Sequence, residues 1–115
     1  MLALKYYRRA IEIDVNNPMA YHNRAYANSR LGNYQSALID YTAAIKLSDS
    51  VEAYINRGAL QMKLGNITGA IEDYSASINL NPNCWQAYFN RGLAYQKLGN
   101  KTHAIRDLTI ARKLK

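Results

Sequence analysis

Three fragments repeat one order of side chains: "YHNRA" from Tyr21, "YINRG" from Tyr54 and "YFNRG" from Tyr88. Each sets an amide (Asn23, Asn56, Asn90) next to a guanidinium (Arg24, Arg57, Arg91). An amide carries both a donor and an acceptor and can pair with a peptide backbone. A guanidinium is a planar fork that binds phosphate or carboxylate at two points. The triplet therefore offers backbone reading by Asn and anion binding by Arg. The Arg has an internal competitor, because Asp40, Asp73 and Asp107 each follow one of the three by sixteen residues. Across a tight turn between antiparallel helices, that spacing brings carboxylate and guanidinium side by side. Structural ion pairs are thus expected at Arg24–Asp40, Arg57–Asp73 and Arg91–Asp107. The opening residues are a control: they contain no such Arg, and Tyr6 stands where the Asp would be.

Other reactive side chains form no constellation. His22 and His103 lie far apart with no Cys or paired carboxylate at ligand spacing, so neither a metal nor another cofactor is expected. Cys84 has no base near it in sequence and reads as a structural thiol. The "LGN" at 31–33, 64–66 and 98–100 has a single Gly and no following Gly-Lys-Ser/Thr, so it is no phosphate loop. "NIT" at 66–68 and "NKT" at 100–102 are formal glycosylation sequons that coincide with the same turns. No catalytic residue is assigned, and the chain is expected not to be an enzyme.

The elements that must hold these residues recur with them. Three units align: 18–50, 51–84 and 85–115, preceded by 1–17, which matches the second half of a unit. In each second half, apolar or small residues fall at i, i+4 and i+7: Ala37/Tyr41/Ala44, Ala70/Tyr74/Ser77 and Ala104/Leu108/Ala111. That is the stripe of an amphipathic helix. The first halves carry Tyr21, Tyr54 and Tyr88, with Ala25, Gly58 and Gly92 four residues on. Gly in "LGN" fits the left-handed residue past a helix end, and the Asn after it fits an N-cap of the next helix. Asn17-Pro18 fits an N-cap followed by a first-turn proline. Each unit therefore reads as a helix-turn-helix of about 34 residues, and the fold class as all-α.

At these residues the chain resembles the tetratricopeptide repeat family. The marks are the early aromatic, the small residue four later, the turn Gly, the Ala opening the second helix with its aromatic and small followers, and Asn-Pro at 81–82. The resemblance covers essentially the whole chain. Val15 and Asp49 depart from the family's Pro, Ser77 from its Ala and Leu108 from its aromatic. It implies an α–α superhelix, a right-handed solenoid of antiparallel helix pairs stabilised by repeat-on-repeat contacts. With a first helix lacking its partner and no polar capping helix after Lys115, an excerpt of a longer array or self-association through the terminal helices is expected.

The resemblance also implies that the first helix of each unit lines a concave groove, faced by Asn23, Asn56 and Asn90. Such a row is similar to the asparagine ladders of some peptide-binding members; the other reading is that Asn is a tolerated polar groove residue. His22, Ile55 and Phe89 would flank the row, with Tyr26, Leu93 and Met62 adding apolar surface for a peptide or helix. Arg30, Lys63 and Lys97 would border it and favour an acidic partner, or be a solvated face. The carboxylate clamp that holds heat-shock chaperone tails requires other residues where this chain has His22, Tyr26, Gln86 and Asn90; only Asn56 matches. No chaperone-tail clamp is expected.

Length and composition fit one modest domain: 115 residues, 49% hydrophobic, 20% charged. The net charge of +7 permits an acidic partner. Nucleic-acid binding is not favoured, because the aromatic residues fall on the packing stripe rather than among the basic ones. One cysteine favours a reducing compartment, hence a cytoplasmic location, and the opening stretch is too short and charged for a signal peptide or membrane span. The expected function is a non-catalytic scaffold holding a peptide or helical segment of a partner protein. The alternative is a partner-recruiting repeat region of a larger multidomain enzyme.

Overall fold

The computed structural model describes residues 2–115. Seven helices follow one another: α1 (Leu2–Ile13), α2 (Pro18–Arg30), α3 (Tyr34–Leu47), α4 (Val51–Lys63), α5 (Ile67–Leu80), α6 (Trp85–Leu98) and α7 (Lys101–Leu114). They pack as successive antiparallel pairs, α2 with α3, α4 with α5 and α6 with α7, in an all-α superhelix. The radius of gyration is 15.0 Å and the extents are 47 × 25 × 20 Å. A near-spherical domain of this length would have a radius of about 13 Å, so the stack is elongated.

The turns close as the sequence predicts. Gly32, Gly65 and Gly99 have φ of 85°, 83° and 86°. In that left-handed conformation the amide of the next residue turns back onto the helix: Asn33, Asn66 and Asn100 donate to the carbonyls of Asn28, Gln61 and Tyr95 at 2.8, 2.8 and 2.9 Å. Asn66 and Asn100 then cap the next helix, their Oδ1 accepting from the amides of Gly69 and His103. Asn17 caps α2, accepting from Met19 and Ala20. Asn33 departs from the expectation and makes no side-chain cap. Its Nδ2 donates to Oδ1 of the buried Asn28, as Asn66 Nδ2 donates to Oε1 of Gln61 in the next unit.

The core is the sequence stripe. Ala37, Tyr41 and Ala44 are buried, as are Ala70, Tyr74 and Ser77 and then Ala104 and Ala111; Leu108 is half-buried. Tyr41 packs with Ala25 and Leu60, which belong to its own unit and the next. Tyr74 does the same with Ala94 of α6. Each large ring therefore joins two units. Small residues opposite the rings make the approach possible: a Cβ built on Gly58 would lie 2.6 Å from Cε1 of Tyr74.

Curvature follows from the packing. α2 touches α4 and α4 touches α6, whereas among the described residues no second helix reaches the second helix of the next unit. The first helices thus form the tight inner row and the second helices the splayed outer row.

Candidate functional site

The guanidiniums of the inner row turn toward the outer one. Arg24 Nε and Nη2 donate to Asp40 Oδ2 and Oδ1 at 2.7 and 2.8 Å. Arg57 does the same to Asp73 at 2.9 and 2.6 Å, and Arg91 to Asp107 at 2.7 and 2.9 Å. All three carboxylates are buried. The hydrogen bond to Asp raises each Arg further above its ordinary value, outweighing the opposing effect of burial. Each guanidinium also lies over the Tyr three residues before it, with 5.9, 5.8 and 5.6 Å to the centroids of Tyr21, Tyr54 and Tyr88. Tyr6, at the control position of α1, is exposed and has no such pair.

Sequence reasoning missed the third arm of the clamp. Arg57 Nη1 donates to Thr42 Oγ1 at 3.2 Å, and Arg91 Nη1 to Ser75 Oγ at 3.1 Å. Both hydroxyls belong to the second helix of the preceding unit, so the Arg ties three helices together. Gln61 adds a further bond, Nε2 to Asp73 Oδ2 at 2.8 Å. The legible signal was the hydroxyl residue directly after Tyr41 and Tyr74.

The three asparagines are half-buried on the inner row, and each lines a separate hollow. Asn23 shares a cavity of about 180 Å³ with Pro18, His22 and Glu52. Asn56 shares one of about 250 Å³ with Tyr26, Arg30, Ala59 and Lys63. Asn90 shares one of about 540 Å³ with Trp85, Phe89 and Leu108. Asn56 Nδ2 lies 3.5 Å from His22 Nε2 of the preceding unit. Among the described residues the side chains of Asn23 and Asn90 make no hydrogen bond, so their amides are available to an incoming group.

The flanking residues differ in what they expose. His22 is half-buried, edge-on to Tyr41 with centroids 5.5 Å apart. Ile55 is half-buried, while Tyr26, Phe89 and Leu93 are exposed. Phe89 meets Trp85 edge-on at 6.3 Å. Met62, expected to line the groove, packs against the Ala70–Tyr74–Ala94 cluster instead. Arg30 lies over the Tyr26 ring and Lys63 over that of Tyr34, at 5.8 and 5.6 Å; Lys97 is exposed. Cys84 sits before α6 with Sγ 3.6 Å from Gln86 Oε1. Among the described residues no three His, Cys, Asp or Glu gather as a metal site, and no helix is long and apolar enough to cross a membrane.

No curated protein sequence matches the chain. Solved structures do. A crystal structure of MamA superposes with a TM-score of 0.93 at 26% identity, covering 96% of this chain and 66% of that one. A second MamA crystal structure gives 0.91 at 26%, covering 96% and 61%. MamA from Desulfovibrio magneticus RS-1, residue 41 to the end, gives 0.90 at 25%, covering 97% and 64%. The chain therefore spans somewhat under two thirds of the length of these structures. The profile described as tetratricopeptide repeat matches residues 6–39 and that described as TPR repeat matches 61–99, together more than half of the chain. With its helix pairs, left-handed glycine turns and small-residue stripes, the chain belongs to the tetratricopeptide repeat family, whose fold serves in general as a protein-interaction scaffold.

Proposed function

We propose that the chain is a non-catalytic scaffold whose inner row holds an extended peptide or a helical segment of a partner protein. The observation that carries this reading is the contrast within each "NR" pair. The Arg is consumed by its Asp, while the Asn beside it opens on a hollow and keeps its amide unspent at two of three places. Successive amides along a curved row match the repeat of donors and acceptors along a peptide backbone. Tyr26, Ile55, Phe89 and Leu93 supply apolar contact around them, and Arg30, Lys63 and Lys97 give the border a positive potential that favours an acidic segment. The groove then reads the backbone through Asn and selects side chains through the variable residues between.

The test is a random-peptide display library panned on the wild-type chain, followed by calorimetry on the selected peptides. Each amide pair lost costs about 1 kcal/mol, so the Asn23/Asn56/Asn90→Ala variant is expected to bind them about a hundredfold more weakly. Helicity and melting should barely change, since these side chains support no core contact. Equal binding by both proteins would eliminate the ladder.

A further inference from the structure

The joint between α1 and the first full unit departs from the other two. After the joining Tyr of the preceding second helix, the second joint has Thr42 and the third has Ser75, each accepting a bond from the clamp Arg. The first joint has Arg8 directly after Tyr7, at the corresponding place. A hydroxyl acceptor has been replaced by a cation. Arg24 makes only its two bonds to Asp40, and its Nη1 has no protein acceptor among the described residues.

A cavity of about 540 Å³ opens there, lined by Lys5, Arg8, Arg24, Asn28, Ser36 and Asp40 among others. The donors of Lys5 and Arg8 and the Nη1 of Arg24 are unspent among the described residues. Among the described residues no carboxylate lies within 4.0 Å of a Lys5 or Arg8 nitrogen, since the ion pairs are Arg24–Asp40, Arg57–Asp73 and Arg91–Asp107. Asn28 is only 8% exposed; its Oδ1 accepts from Asn33, which leaves the Nδ2 hydrogens without a protein acceptor. At the second joint the equivalent Gln61 donates to Asp73 instead. The single carboxylate, Asp40, is already held at two points by Arg24. Three cations against one carboxylate leave an excess of two positive charges around the recess, whose walls also include the apolar Leu4 and Ile39.

We infer that this recess at the α1–α2–α3 joint binds a phosphate group, as the free ion or as a phosphomonoester. A phosphate carries about 1.5 to 2 negative charges near neutral pH and three acceptor oxygens, which matches the excess; a lone carboxylate would leave one cation uncompensated. Arg8 and the Nη1 of Arg24 can approach the group from α1 and α2, with Lys5 and Asn28 beside them. The bound anion would then take the place of the missing hydroxyl and tie α1 to the array as Thr42 and Ser75 tie the later units. None of Asn23, Asn56 and Asn90 lines this recess, so it is separate from the inner row.

The experiment is a titration of the chain followed by NMR, at constant ionic strength and pH 7.5, with inorganic phosphate in one arm and O-phosphoserine in the other. Saturable shifts centred on Arg8, Arg24 and Asn28 are expected in at least one arm, and the tighter arm tells whether the free ion or the ester is preferred. Arg8→Thr restores the hydroxyl of the other joints and should weaken binding roughly tenfold or more while leaving the helices intact. Lys5→Gln, on an exposed side chain, should weaken it in the same direction; Lys101→Gln should not. Absence of saturable shifts in both arms, or equal affinity in Arg8→Thr and wild type, overturns the assignment.

Discussion

Asp73 offers the sharpest measurement of what the Arg row does. It is 3% exposed and accepts three bonds, from Arg57 Nε and Nη2 and from Gln61 Nε2. Asp73→Asn preserves the shape, removes the charge and turns an amide donor toward at least one of those donors. Breaking a buried pair by neutralising one partner costs about 3–5 kcal/mol. The Arg57 side chain is 20% exposed and keeps Thr42, which places the expected loss at the lower end, about 3 kcal/mol. Asp40 is equally buried but accepts only two bonds, both from Arg24. Asp40→Asn should therefore cost about 1 kcal/mol less. Replacing both partners, Arg57→Met with Asp73→Leu, removes the uncompensated charge and should recover most of the loss. The assay is urea unfolding followed by circular dichroism, fitted with a nearest-neighbour model because short arrays open unit by unit. A loss below about 1 kcal/mol for Asp73→Asn, or a double variant no more stable than the worse single one, would refute the structural role and return the Arg row to ligand binding.

Burial pushes the Tyr41 and Tyr74 hydroxyls up to about 12 from their ordinary 10.0. A folded value above the unfolded one gives stabilisation that is complete below pH 10 and is lost as pH rises toward 12; urea midpoints measured against pH should fall in that window and flatten in the Tyr→Phe variants. Ser77 Oγ donates to the carbonyls of Val51 and Asp73, which lie within helices. Ala44 and Ala111 fill the same place in neighbouring units, so Ser77→Ala should cost under about 1 kcal/mol in a thermal melt, and a loss above 2 would mean that the hydroxyl sets the α4–α5 spacing. Gly58→Ala gains up to about 1 kcal/mol in helix propensity but drives a Cβ to 2.6 Å from the buried Tyr74 ring, so net destabilisation of about 1 kcal/mol is expected; a raised melting temperature would show that the ring retreats freely.

The elements were legible because one period is written several times. A stripe such as Ala37/Tyr41/Ala44 is ambiguous once, but in phase with Ala70/Tyr74/Ser77 it can only be one helix face. The sixteen-residue Arg–Asp spacing was readable for the same reason. What escaped was set by contacts between units rather than within them. Thr42 and Ser75 are unremarkable in sequence, and only the stacking of α3 on α4 and α5 on α6 brings them to Arg57 and Arg91. Met62 was drawn into packing because Tyr74 and Ala94 leave it an apolar seat at the α5–α6 joint. Long-range competition decided each case, and a helical period carries no record of it.

In a repeat array, what the units share builds the scaffold, and what they do not share is free to select partners. The clamp Arg, its Asp and the Tyr beneath it recur without change, and each Arg is held at two points by its Asp. The positions one residue before each Asn hold His22, Ile55 and Phe89, which differ in size and polarity while standing at equivalent places on α2, α4 and α6. A ligand lying along the inner row would therefore meet a graded surface, polar where His22 touches Asn56 and apolar where Phe89 meets Trp85. In the proposed reading the three asparagines contact only the ligand's backbone, which fixes its path but not its register. Register has to come from the unequal residues. Exchanging His22 and Phe89 should then reverse the preferred order of polar and apolar residues in peptides selected by the chain, with their overall affinity little changed. Selection of the same order by the exchanged protein would show that the variable positions do not face the ligand.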